Sequence, residues 1–286
     1  TQPDGGGTAY ANGANYTFTA NVTLYAQWTI NSYTVTFNAN GGSGSMSNQT
    51  GNYNTVAPLT PNAFTRTGYT FVGWNTQAGG GGTAYADGGN YTFTANVTLY
   101  AQWTANTYTV TFNAQSGTTP VPVTKTVTYD TAYGTLATTS RTGYTFVGWF
   151  TAASGGTAVT DTTLVSTASD HTLYAHWTVN TYTVTFDPQS GTTPVPITKT
   201  VTYGAAYGTL ATTSRTGYTF VGWFDQMTGG NQVIATTVVS TAADHTLYAQ
   251  WTINTYTLSI TSDHGTAIQT PAPPYHYGDT VTITAT

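Results

Sequence analysis

The chain carries few residues that could do acid–base or metal chemistry. Only 5% of its 286 residues are charged, all ten acids are aspartates, and cysteine is absent. Two adjacent pairs, Asp170–His171 and Asp244–His245, have the residue types that ligate metals. A related stretch carries Ala95 and Asn96 at that point, and no third ligand accompanies either pair. We therefore predict turn and cap roles for the aspartates, with no catalytic, cofactor or metal site.

Two equivalent lysines, Lys125 and Lys199, lie in Thr-rich stretches where an intramolecular isopeptide bond is conceivable. That reaction needs a neutral amine, an amide or acid partner and a proton-shuttling carboxylate. Gln49 stands at the corresponding position nearer the N-terminus, and glutamate is absent throughout. An exposed strand lysine that discourages edge pairing is the favoured interpretation.

All arginines of the chain open the same string, RTGYTFVGW, and they are Arg66, Arg141 and Arg215. In a chain so poor in charge, this recurrence predicts a fixed structural contact. The guanidinium group is expected to pack over a Tyr or Trp ring or to bond carbonyls of the preceding loop. A ligand contact is the alternative interpretation.

The seven tryptophans reveal a tandem period of 74 to 75 residues. Those that end RTGYTFVGW are Trp74, Trp149 and Trp223; those that end LYAQW or LYAHW are Trp28, Trp103, Trp177 and Trp251. Small modules without disulfides need aromatic core material. We therefore predict that all seven are core residues, and a sugar-stacking platform is the alternative.

The period predicts three full units, at residues 30–104, 105–178 and 179–252. Residues 1–29 match residues 76–104 at all but four positions, so we expect them to be the C-terminal half of a preceding unit. Residues 253–286 are expected to begin a divergent, truncated unit. Both ends are therefore expected to be cuts through a longer protein.

Within a unit, alternation of polar and apolar residues predicts strands. In the second unit, Tyr108, Val110 and Phe112 fall on one face and threonines on the other, as in a half-buried strand. We expect four or five strands per unit and at most one short helix, over residues 161–170. Only residues 178–181 separate Trp177 from Tyr182, so successive units are expected to sit at a restricted angle rather than on a flexible linker.

The strings YTVTF, RTGYTFVGW and TLYAQW resemble the internalin-type B-repeat, also called the Listeria–Bacteroides repeat. The resemblance covers the three full units and the leading half-unit. It implies a mainly β fold of small β-grasp-like modules in a linear tandem array. It also implies a position on bacterial cell-surface proteins, between an exposed recognition domain and a wall anchor, with no catalytic residues.

Composition and repetition together favour a non-catalytic extracellular role. The net charge is −5 with only five Lys and Arg residues, which disfavours nucleic acid and anionic membranes as partners. The preferred hypothesis is a semi-rigid stalk, secreted or at the cell surface, whose partners are neighbouring repeats of the same chain. Two alternatives stay open: the repeats bind a glycan or host protein, or they assemble edge to edge into a fibre. Membrane insertion of this segment is not expected.

Overall fold

The computed structural model describes residues 1–285, which fold as an all-β protein. Strands occupy the alternating segments because β-branched and aromatic residues fit a pleated, half-buried surface. No helix occurs among these residues, and accordingly none there is long and apolar enough to cross a membrane.

The first full repeat contains seven strands. They are β1 Ser32–Asn38, β2 Gln49–Asn52, β3 Val56–Pro58, β4 Tyr69–Asn75, β5 Ala84–Tyr85, β6 Asn90–Thr92 and β7 Val97–Ala105.

The next two repeats contain five strands each. The second repeat has β8 Thr107–Asn113, β9 Thr124–Thr128, β10 Tyr144–Phe150, β11 Ala158–Val159 and β12 His171–Val179. The third repeat has β13 Thr181–Asp187, β14 Thr198–Thr202, β15 Tyr218–Phe224, β16 Gln232–Val233 and β17 His245–Ile253. Residues after the third repeat form two small two-stranded sheets. Their strands are β18 Thr255–Tyr256, β19 Ala267–Thr270, β20 Tyr275–His276 and β21 Thr282–Ala285.

Each repeat builds one five-stranded sheet of the same topology. The strand orders are β2-β1-β7-β4-β5, β9-β8-β12-β10-β11 and β14-β13-β17-β15-β16. The first and last long strands of a repeat pair in parallel at the centre, as Phe37 does with Leu99. The strand that ends in Val-Gly-Trp pairs antiparallel to the last strand, with a bulge before its glycine. Long strands of each repeat thus meet in the middle of its sheet, where one face is buried.

The core of each repeat lies on one face of its sheet. In the first repeat it includes Val35, Leu99 and Ala101, which are fully buried, together with Trp74 and Phe93. The third repeat repeats this pattern with Val184, Leu247, Ala249 and Trp223. Burial of alternate residues on each strand is the physical reason for the period of two in the sequence.

Backbone contacts group the chain into two compact units. One consists of residues 1–109, 126–133 and 164–170; the other consists of residues 110–125, 134–163 and those from 171 onward. The second repeat therefore contributes residues to both units. The joints, the tryptophan hydrogen bonds and the lysine and aspartate contacts described below each lie within one unit.

The helix considered for residues 161–170 is not formed. The hydroxyl of Thr163 accepts a hydrogen bond from the amide of Thr160 at 2.9 Å and closes a turn instead. Just beyond, the amide of Val165 donates to the carbonyl of Thr131 at 2.8 Å. Threonine favours such local side-chain bonds over helix propagation.

The expectation that Trp28 is a core residue is wrong. Residues 1–29 form turns but no strand, and the Trp28 side chain is 91% exposed. In the full repeats, the equivalent segment is paired on both sides by long strands of its own repeat. Among the strands of residues 1–285, none pairs with residues 1–29, so the apolar side chains of this segment do not pack on a sheet face here.

Candidate functional site

Three tryptophans lie at the centre of the repeats. Trp74, Trp149 and Trp223 are 1% to 2% exposed. The indole nitrogens of Trp149 and Trp223 donate to the carbonyls of Ala137 and Ala211 at 2.8 Å. The Trp74 nitrogen is buried without a partner among residues 1–285; in its repeat, Phe64 packs edge-on against the indole at 6.1 Å.

A second set of tryptophans closes the first loop of each repeat. Trp103, Trp177 and Trp251 are half-buried. Their indole nitrogens donate to the carbonyls of Ala39, Ala114 and Pro188 at 2.8 to 2.9 Å. A glycine of the same loop lies against each ring, and a methyl group there would overlap the ring. These tryptophans therefore hold the loop that follows the first strand.

Each arginine stacks on the tyrosine three residues after it. The guanidinium carbons of Arg66, Arg141 and Arg215 lie 3.7 to 3.8 Å from the ring centres of Tyr69, Tyr144 and Tyr218. Two of them also donate from Nη1 to a loop carbonyl at 3.4 Å: Arg141 to Gln115 and Arg215 to Gln189. The stacking orients the tyrosine that follows the Arg-Thr-Gly turn.

The turn that follows each arginine contacts the start of the next repeat, and we call this contact a joint. In the first joint, the amide of Asn106 donates to the carbonyl of Gly68 at 2.9 Å. The Thr70 hydroxyl donates to Asn106 Oδ1 at 2.6 Å. The amide of Tyr129 in turn donates to the carbonyl of Asn106 at 2.9 Å. One asparagine thus links a turn of one repeat to a loop of the next.

Packing between the Tyr129 ring and Gly68 completes the first joint. A methyl group at Gly68, whose φ is +77°, would overlap that ring. The rings of Tyr69 and Tyr129 meet edge to face at 5.7 Å. The Tyr69 hydroxyl also donates to Asp130 Oδ2 at 3.0 Å. Burial and this bond raise the pKa of Tyr69.

The same joint recurs twice. In the second joint, the amide of Asn180 donates a hydrogen bond to the carbonyl of Gly143 at 2.9 Å. Asn180 Oδ1 accepts a hydrogen bond from the Thr145 hydroxyl at 2.6 Å. The Tyr203 ring covers Gly143.

In the third joint, Asn254 bonds the carbonyl of Gly217 at 2.9 Å and accepts from Thr219 at 2.7 Å. Here Tyr277 of the divergent tail covers Gly217. Residues beyond the third repeat therefore reproduce the asparagine hydrogen bonds and the ring contact that a full repeat makes.

Sequence reasoning missed these joints, although the signal is present. The asparagines recur at Asn31, Asn106, Asn180 and Asn254, and the tyrosines at Tyr53, Tyr129, Tyr203 and Tyr277. The joint partners lie far apart in the chain, so nothing in the local pattern connects the asparagine and tyrosine to the glycine of the previous repeat.

The Asp–His pairs occupy structural positions. Asp170 Oδ1 accepts from the amide of Thr109, and Asp244 Oδ1 accepts from the amide of Thr183, both at 2.7 Å. Asn96 does the same for Thr34 at 2.8 Å. Asn96 is therefore the first-repeat equivalent of Asp170 and Asp244. The expected alignment of each Asp–His pair with Ala95–Asn96 is wrong by one residue.

The two lysines tie a strand to the loop that follows it. Lys125 Nζ donates to the carbonyl of Thr135 at 2.7 Å, and Lys199 Nζ to that of Thr209 at 2.6 Å. Gln49 of the first repeat makes the analogous bond to the carbonyl of Pro58 at 2.8 Å. The interpretation as an exposed strand lysine that discourages edge pairing therefore missed a loop contact, which the Gln49 amide also makes.

Groups of three or more His, Cys, Asp or Glu side chains with metal-site geometry do not occur within residues 1–285.

Comparisons with known proteins point to one family. Internalin H of Listeria monocytogenes is 42% identical over 87 residues, which is 30% of this chain and 15% of that protein. A Gly-rich membrane protein of Evansella cellulosilytica is 31% identical over 293 residues, covering 97% of this chain and 24% of that protein. A second membrane protein of that organism is 34% identical over 92 residues, or 32% of this chain and 13% of that protein.

This chain therefore spans at most about a quarter of the length of these relatives. The profile of the Listeria-Bacteroides repeat domain matches residues 1–27, 33–102, 108–176 and 182–250. These four consecutive matches cover most of the sequence, and the chain belongs to the Listeria-Bacteroides repeat domain family.

Proposed function

We propose that this segment is a non-catalytic, semi-rigid stalk of a bacterial cell-surface protein. The observation that carries the proposal is the joint. It recurs at Gly68, Gly143 and Gly217 with the same two asparagine hydrogen bonds, to the glycine carbonyl and from the threonine hydroxyl, and with a tyrosine ring over the glycine. A joint of this kind limits rotation between neighbouring repeats more than a free linker does. A stalk needs that restriction in order to hold a terminal domain away from a surface.

Family membership and composition support the location. The resemblance to internalin-type repeats and the similarity to proteins named for membranes favour the outside of a cell. A surface with only 5% charged residues is solvated by hydroxyls and amides instead, which is common in secreted bacterial proteins. The recurrent side chains serve loops, caps and joints, and this supports a mechanical role over an enzymatic one.

Small-angle scattering of the full chain tests the stalk. Strands of about eight residues at about 3.3 Å per residue predict a rod of roughly 80–90 Å for three repeats. We expect the double variant Gly68→Ala and Gly143→Ala to shift scattering toward a broader distribution of shapes. Gly88→Ala is the matched control, because Gly88 also has a positive φ (+64°) but open space around it.

A compact particle, or an elongated one that the joint variants leave unchanged, would contradict the proposal. Glycan arrays and cell-binding assays with the same chain address the adhesive alternative. Concentration-dependent polymers would instead favour the fibre.

A further inference from the structure

The N-terminal end of the first repeat presents a preformed half of a joint. The amide of Tyr53 donates to the carbonyl of Asn31 at 2.8 Å, as Tyr129 does to Asn106 at 2.9 Å and Tyr203 to Asn180 at 3.0 Å. Tyr53 is further held by an edge contact with Tyr33 at 6.1 Å. We call Asn31, Tyr53 and Asn54 the Asn31–Tyr53 surface.

This surface is exposed where its counterparts are covered. Tyr53 is 51% exposed and Asn31 is exposed, whereas Asn106, Asn180, Tyr129 and Tyr203 are half-buried. Within residues 1–285, no glycine turn lies under the Tyr53 ring. The difference is the Arg-Thr-Gly turn that covers the other pairs.

Asn54 makes the surface resemble the first joint in particular. Asn54 follows Tyr53 with a φ of 64°, and Asp130 follows Tyr129 with a φ of 61°. Asp130 accepts the hydroxyl of Tyr69. The amide oxygen of Asn54 offers an acceptor at the same position.

We propose that the Asn31–Tyr53 surface is a docking site for the Arg-Thr-Gly-Tyr-Thr turn of another repeat of this family. The backbone amide of Asn31 would donate a hydrogen bond to the glycine carbonyl. Asn31 Oδ1 would accept a hydrogen bond from the threonine hydroxyl. The Tyr53 ring would cover the glycine, and Asn54 would accept the tyrosine hydroxyl. The glycine is obligatory, because a methyl group overlaps the covering ring in all three observed joints.

Continuity with those joints identifies the occupant. The turns of this chain at Gly68, Gly143 and Gly217 are already covered by Tyr129, Tyr203 and Tyr277. The occupant is therefore the turn of an additional repeat. The docking proposal holds whether the array works as a stalk or as an adhesive surface. Failure of the stalk function would therefore leave the docking proposal intact, and the reverse is also true.

A fusion of the full chain tests the docking. Residues 30–75, joined in front of residue 1, supply the front half of a repeat whose back half is residues 1–29. We expect Trp28 to become protected from acrylamide. The amide of the original Asn31, which follows residues 1–29, should exchange hydrogen at least about tenfold more slowly than in the unfused chain.

Two variants of the fusion separate docking from folding. One variant changes the glycine of the added Arg-Thr-Gly turn to alanine, and the other changes the original Tyr53, not the added copy, to alanine. Each should restore fast exchange at the original Asn31 while Trp28 stays protected. Unchanged exchange at Asn31 in a fusion that protects Trp28 would overturn the proposal, as would a Gly→Ala fusion that behaves like its parent.

A second fusion decides the matter if the added half-repeat leaves Trp28 accessible. Residues 105–178, joined directly to residue 30, place a repeat that folds in this chain in front of the surface. Slow exchange at Asn31 in this fusion would support the proposal. Exchange as fast as in the unfused chain would overturn it.

Discussion

Residues 1–29 and residues 76–104 have almost the same sequence and very different structures. They differ at four positions, yet the later copy supplies β5, β6 and the central strand β7, and the earlier copy forms no strand. Leu24 is 54% exposed, and its counterpart Leu99 is fully buried. Strand formation here is decided by partners, because β7 is hydrogen-bonded on one side to β1 and on the other to β4.

The largest expected effect comes from the paired phenylalanines Phe93 and Phe18. Phe93 is 1% exposed, packs in the core of the first repeat and contacts Tyr91 edge-on at 5.2 Å. Phe93→Ala should lower the free energy of unfolding of that repeat by about 3–5 kcal/mol, because it leaves a cavity. Phe18 is 85% exposed, so Phe18→Ala should change stability by less than about 0.5 kcal/mol.

Urea unfolding with hydrogen exchange read separately for residues 15–30 and 90–105 measures both variants. Equal losses would show that the two copies share one packed environment, and the comparison would fail.

The tryptophans that close the two copies give a smaller contrast. Trp103→Phe removes the hydrogen bond from its indole nitrogen to the carbonyl of Ala39 and part of a packed ring. We expect a loss of about 1–3 kcal/mol. Trp28→Phe should leave stability unchanged and remove the emission component that acrylamide quenches most. Quenching that persists undiminished in Trp28→Phe would contradict the exposure of Trp28.

Alternation made the strands of the full repeats predictable. Tyr108, Val110 and Phe112 occupy one side of β8 because a pleated strand turns successive side chains to opposite faces. The recurrence of arginine similarly indicated a fixed contact, although not which ring would receive it.

The same pattern misled where partners were missing or distant. Trp28 reads like Trp103 in sequence, and only the absence of neighbouring strands separates them. The joint between Gly68 and Tyr129 depends on how two repeats pack, which no local period encodes. The short helix considered for residues 161–170 does not form, because threonine side chains there make hydrogen bonds that compete with helical ones.

The two copies also test a strand cap. Asn96 Oδ1 accepts from the amide of Thr34 at the start of the parallel pair, whereas Asn21 lies exposed in the leading segment. Asn96→Ala should cost about 1 kcal/mol, and Asn21→Ala should cost nothing measurable. Asn96→Asp is the control that keeps the acceptor, since Asp170 and Asp244 make this bond in the other repeats. Thermal unfolding of the full chain measures the three variants, and a loss in Asn96→Asp equal to that in Asn96→Ala would refute the cap.

The smallest expected effect is a pH dependence confined to the folded copy. Burial raises the pKa of Tyr91 above its ordinary value of 10.0. A raised folded-state pKa means that the contribution of Tyr91 to stability is fully present below pH 10 and is lost as the pH rises through the folded-state value. Tyr91→Phe keeps the ring and removes the titrating hydroxyl, so it should flatten the decline of stability of the first repeat above pH 10.

Tyr16→Phe controls for the loss of one phenol elsewhere, and urea midpoints at pH 9, 10 and 11 compare the two variants. If both variants decline as steeply as the parent chain, Tyr91 does not titrate from a buried site, and the packing contrast between the copies does not extend to this ring.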